Sequence, residues 1–128
     1  MNATIERSLK HFTGTENYYG YRLFAGPVIG TYTDGVKFLE DECGAYWLID
    51  AIFSYQYGKI KKEPFQVWTL NKCVYKTGKR AGQEYWKLEG QDGNNNVIAK
   101  QIIEFSDFPL DEIKLYLINR VLLLPSEY

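Results

Sequence analysis

A chain of 128 residues with 45% hydrophobic and 24% charged content is the size and composition of one soluble domain with one core. Nothing in it approaches the ~18 consecutive apolar residues that span a bilayer, and MNATIERSLKHF lacks the apolar centre of an export signal, so a cytoplasmic protein without a membrane partner is expected. One histidine, His11, and two distant cysteines, Cys43 and Cys73, exclude the usual zinc spacings, and the net charge of −1 excludes a uniformly basic nucleic-acid binder.

Residues 1 to 12 bring Ile5, Leu9 and Phe12 onto one face at helical spacing. The following TGTENYYGYRLFAGPVIGTYTDG is rich in Gly and aromatics and reads as irregular structure with a short strand near Tyr19 to Phe24. Thr33 or Asp34 can then cap a helix over Gly35 to Cys43, with Val36, Leu39 and Cys43 inward and Glu40, Asp41 and Glu42 read as a solvated acidic run. Gly44 ends or kinks it.

GAYWLIDAIFSYQY predicts a helix over 45 to 57. Ala45, Leu48, Ile49, Ile52 and Phe53 make one apolar stripe, Trp47, Ala51 and Tyr55 a second, and Tyr46, Asp50, Ser54 and Tyr57 a third. A helix apolar on so much of its circumference needs cover from its own domain or from a second molecule. Tyr46, Trp47, Asp50, Tyr55 and Tyr57 are therefore the candidate partner-binding residues. Asp50, set among phenols, is also the one carboxylate with a case for acid-base work.

After KIKKEP the period changes to two. Segments 64 to 75, 83 to 90 and 96 to 105 read as three antiparallel strands of a meander, joined by KTGKRAG and QDGNNN. QDGNNN lacks the glycine and the glutamate of a calcium loop. Residues 59 to 80 hold seven basic side chains against one acidic, whereas the segments on either side are acidic. Lys76, Lys79 and Arg80 in the first hairpin loop are accordingly the candidate phosphate-binding residues, with Trp and Tyr side chains nearby to stack a base of a nucleotide or short nucleic acid. The loop has no G-K-[ST] signature.

SDFPLDEIKLYLIN carries helix-start chemistry in Asp107, Pro109, Asp111 and Glu112, which predicts a helix ending at Asn119; Ile113, Leu115 and Leu117 also alternate, which leaves a hairpin as the competing reading. VLLLPSEY begins as a buried strand and ends as a polar tail. The expected architecture is a single α+β domain over residues 1 to 128, two consecutive helices and a later one packed on a three-stranded antiparallel meander. The cysteines read as buried thiols, and no metal or cofactor site is expected.

HFTGTENYY, TDGVKFL, GAYWLIDAI followed by SYQ, PFQVW, IEFSDFPLDEI and LLLPSEY together resemble a family of small bacterial proteins, also found on mobile elements and classed as a domain of unknown function. The resemblance covers most of residues 11 to 128 and implies the identity of the domain without a mechanism. The absence of a catalytic set, with abundant Tyr and Trp and an over-apolar helix, favours a non-enzymatic interaction protein that binds another protein or its own copy, and the relatives on mobile elements suggest an inhibitor or modulator of a host protein. Binding of a nucleotide or short nucleic acid by the 76–80 loop is the alternative, and a small enzyme acting through Asp50 the third reading.

Overall fold

Alternation from Phe65 onward produces strands, and more of them than the meander alone. The computed structural model describes residues 2–14, 16–22 and 26–128. In chain order the elements are α1 (Asn2–Lys10), β1 (Tyr18–Arg22), β2 (Val28–Thr33), α2 (Asp34–Cys43), α3 (Tyr46–Ser54), a one-turn α4 (Gly58–Lys61), β3 (Phe65–Val74), β4 (Glu84–Asp92), β5 (Val97–Ile103), β6 (Glu112–Ile118), β7 (Val121–Leu123) and a 3₁₀ turn (Pro125–Glu127). The strands form one sheet in the order β1-β2-β7-β6-β3-β4-β5. Every neighbouring pair is antiparallel except β2 and β7, which run parallel.

The expected architecture is therefore corrected. The meander is present as the β3–β4–β5 half of the sheet, but four further strands extend it, and the later helix is strand β6. The alternation of Ile113, Leu115 and Leu117 prevails over the helix-start chemistry, because β6 pairs with β3 along Phe65 to Asn71 and buries Leu115 and Leu117. The segment with Asp107 and Pro109 is a crossing loop instead, whose Phe108 and Leu110 are buried, Phe108 edge-on to Trp86 at 6.0 Å. Asn119 ends no helix: with Arg120 it makes the two-residue turn between β6 and β7, at φ of 48° and 69°. Positive φ at both positions is the I′ geometry that suits the twist of a hairpin.

Residues 18–22 and 28–33, expected to be mostly irregular, pair as strands β1 and β2; Leu23 and Phe24, the far end of the expected short strand, lie outside the described residues. The third helix stops at Ser54, short of Tyr57, whose backbone is extended at φ −146° and ψ 164°. Nor does the chain finish as a polar tail, since Glu127 is half-buried against α2. Its carboxylate accepts from Thr33 Oγ1 at 2.6 Å, Gly35 N at 3.1 Å and Leu124 N at 2.9 Å, so the last turn caps the start of α2. Thr33 is the N-cap and Gly44, at φ 61°, the left-handed C-cap.

One face of the sheet carries the core. Gln66, Trp68 and Leu70 of β3 lie beside Trp86, Leu88 and Gly90 of β4 and Leu115 and Leu117 of β6, all buried. Leu48, Ile49, Ile52 and Phe53 of α3 join the same core, each contributing roughly 1.5–3 kcal/mol by leaving water. Gly30 and Gly90 permit close approach: a Cβ on Gly30 would stand 2.5 Å from the Phe53 ring, and one on Gly90 2.7 Å from the Trp68 ring. The opposite face has water on it, and there Phe65, Tyr116 and Tyr128 make a trio of rings with centroids 5.3 to 5.9 Å apart.

Candidate binding surface

The helical spacing of residues 46 to 54 sorts the side chains of α3 by depth. The first stripe is buried. In the second, Trp47 and Ala51 are half-buried against the core, while Tyr55, just past the helix, stacks on Trp68 at 5.5 Å and donates its hydroxyl to Gln101 Oε1 at 3.0 Å. Much of the apolar circumference is thus covered by the chain's own sheet. In the third stripe Tyr46 is 56% exposed, and Asp50 and Ser54 are exposed too. Tyr57 is 68% exposed but has left the helical stripe, so Tyr46 and Asp50 share a face and Tyr57 flanks it.

Asp50 is held from below. Tyr21 donates its hydroxyl to Asp50 Oδ1 at 2.8 Å, and the Tyr21 ring stacks on Phe53 at 4.4 Å and 10°. Burial first, then the hydrogen bond to Asp50 and its negative charge, push the Tyr21 phenol up to about 12. The phenol therefore stays a donor at neutral pH and fixes the carboxylate at the surface.

The basic loop has a different character. Residues 75 to 83 form a compact connection with Gly78 and Gly82 at φ 82° and 87°, closed by Gly82 N donating to the Tyr75 carbonyl at 2.8 Å. Arg80 is already engaged: it donates to Glu104 Oε1 at 2.6 Å, and its guanidinium lies 5.7 Å over the Tyr75 ring. The Glu104 contact raises its pKa further. A phosphate would have to compete with Glu104 for Arg80, while Lys76 and Lys79 are exposed.

Three features escaped the sequence reading. Gln66, 1% exposed, donates through Nε2 to Gln56 Oε1, the Ile60 carbonyl and the Glu63 carbonyl, and accepts through Oε1 from Gln56 Nε2 and from Trp68 Nε1 at 2.9 Å. It clamps α4 and the end of α3 to the sheet, and its signal was a polar residue on the inward face of PFQVWTL. Glu40, read as solvated, is buried instead, where it accepts from Lys37 Nζ at 3.0 Å and from the Tyr32 hydroxyl at 3.5 Å; consecutive acidic residues on a helix point different ways, and Glu40 is the one turned inward. Asp34 accepts from Tyr19 and from the Glu16 and Asn17 amides; desolvation is the largest single effect and raises its pKa, but the hydrogen bonds together outweigh it and hold the pKa low.

Both cysteines are free and half-buried, and burial followed by Glu42 raises the Cys43 thiol. No helix among the described residues is long and apolar enough to cross a membrane. No curated protein and no solved structure is significantly similar to the chain. A family model described as a family of unknown function, DUF6876, matches residues 3–128, and the chain therefore belongs to that family.

Proposed function

We propose that this member of the family is a non-enzymatic binding protein whose partner is another polypeptide, engaged by the outward face of α3 with Tyr46 and Asp50 and by the flanking Tyr57. The observation that carries this reading is that Tyr46 and Tyr57 stay 56% and 68% exposed while their neighbours Trp47 and Tyr55 pack against the core. Tyrosine gives contact area at low entropic cost and a hydroxyl for the rim, and a carboxylate fixed by Tyr21 suits a lysine or arginine of the partner. In this reading the protein works in the cytoplasm by occupancy, as an inhibitor or modulator of a host protein.

The test is capture from host lysate by immobilised protein, compared between the parent and a Tyr46→Ala, Asp50→Asn, Tyr57→Ala variant. A polypeptide retained by the parent and lost by the variant, with both melting alike, supports the reading. Identical capture by both refutes it. Parallel light scattering shows whether the retained partner is a second copy.

A further inference from the structure

The end of α3 is also one wall of a cleft that no motif announced. Its walls come from three separate segments, the β2 strand, the α3–α4 junction and the β6–β7 hairpin, and it encloses about 220 Å³. Phe53 and Leu117 are buried and form the floor, Ile29 and Val28 rise along one side, and Lys61 and Arg120, both exposed, stand at the rim. An adjoining space of about 240 Å³ shares Gln56, Lys61, Leu117 and Arg120 and adds a third cation, Lys62, together with Glu63. Among the described residues, ion pairs engage Lys37, Lys72, Arg80 and Lys87, but none engages Lys61, Lys62 or Arg120.

Each part of this cleft is held before any ligand arrives. Gly30 lets the Phe53 ring approach the strand, and Tyr21 stacks on that ring at 4.4 Å. Arg120 sits in the two-residue hairpin turn, with its carbonyl accepting from Thr31 N at 2.9 Å, while Asn119 N donates to the Pro64 carbonyl at 2.9 Å. The turn that carries Lys61 is tied down by Gln66 through the carbonyls of Ile60 and Glu63. Concave apolar walls with a few fixed polar groups are what small-molecule sites have in common, and a volume below the ~300–1,000 Å³ of drug-sized sites limits the occupant to a small body.

We infer that this cleft binds a small organic anion, its apolar body seated on Phe53 and Leu117 and its carboxylate, sulfonate or phosphate between Lys61 and Arg120. The site is independent of the α3 surface proposed above, because Tyr46, Asp50 and Tyr57 do not line it. Its chemistry requires both parts of the ligand. An apolar body without charge leaves the cations unanswered, and an inorganic anion without a body leaves the floor wet.

The probe is 2-naphthoate, titrated against the full chain by calorimetry and by amide chemical shifts, with uncharged 2-naphthamide and inorganic phosphate as comparisons. Expected is saturable naphthoate binding with shifts at residues 28–30, 53–61 and 117–121, at least tenfold weaker naphthamide binding, and no saturation by phosphate. Lys61→Ala and Arg120→Gly should each weaken naphthoate at least fivefold. Glycine is chosen at 120 because it suits the positive φ there, so the cation goes while the hairpin stays. No saturable naphthoate binding, equal binding of the amide, or shifts that centre on residues 76–80 would each overturn the inference.

Discussion

Replacing Gln66 with methionine keeps the volume of the side chain and removes every polar atom it places in the core. The parent amide answers five hydrogen-bonding contacts: two with Gln56, one with Trp68 Nε1 and two with the carbonyls of Ile60 and Glu63. Their fates differ. Trp68 is 1% exposed, so its indole N–H is orphaned, at a cost of about 1–3 kcal/mol. Gln56, Ile60 and Glu63 are only partly buried and can turn to water, which leaves roughly 1 kcal/mol for each net bond lost.

The combined loss, one orphaned indole and four net bonds, is about 5–7 kcal/mol, which at the usual unfolding entropy per residue lowers the melting temperature of a 128-residue chain by about 20–25 °C. Gln56→Ala removes the two bonds of the amide pair and the one from Gln56 Nε2 to the Ile52 carbonyl, yet leaves Trp68 and both carbonyls with their Gln66 partner, so it should cost only about 2–3 kcal/mol. Thermal unfolding followed by circular dichroism separates the two variants, and amide exchange at residues 58–63 shows whether the α4 turn loosens with the first. A Gln66→Met protein melting within about 3 °C of the parent, or no lower than Gln56→Ala, would refute the clamp.

Gly30→Ala should destabilise by at least ~2 kcal/mol in urea unfolding, since its Cβ would meet the Phe53 ring at 2.5 Å and the Arg120 carbonyl at 2.8 Å, whereas Gly20→Ala meets only Val28 at 3.4 Å and should be nearly neutral. Glu127→Ala leaves Thr33 and the Gly35 and Leu124 amides without their acceptor and should cost about 2–3 kcal/mol; Glu127→Gln keeps an acceptor oxygen and should cost about 1 in the same assay. Tyr21 ionises near 12 in the fold against about 10 when exposed, so the native state holds this proton more tightly. The stability it contributes is whole below pH 10 and drains away as the pH rises toward 12, so urea midpoints at pH 9 and pH 11 should differ more in the parent than in Tyr21→Phe.

The meander over β3, β4 and β5 was legible because alternation, turn formers and β-branched residues agree there, and the α2 cap was legible because Thr33 lies at a fixed offset from Val36. Residues 107 to 118 misled for the opposite reason. Helix-start residues and a period of two overlap in SDFPLDEIKLYLIN, and only the vacancy between β3 and β7 in the finished sheet decides between them. Of the candidate residues, Tyr46 and Asp50 lie together as drawn, Tyr57 departs because the helix ends early, and Trp47 and Tyr55 are half-spent on the core. The engagement of Arg80, a candidate phosphate-binding residue, by Glu104 was not legible because the two lie 24 residues apart in sequence.

Periodicity and capping are local: within one element they state which side chains turn inward, and for α3 they were right about the buried stripe. Neighbourhood is not local. The parallel pairing of β2 with β7, Glu127 on the first turn of α2 and the meeting of Phe53, Lys61 and Arg120 in one cleft each join segments tens of residues apart. Such contacts repay their loop-closure entropy only when the whole sheet has assembled, so no short stretch of the chain carries their signature.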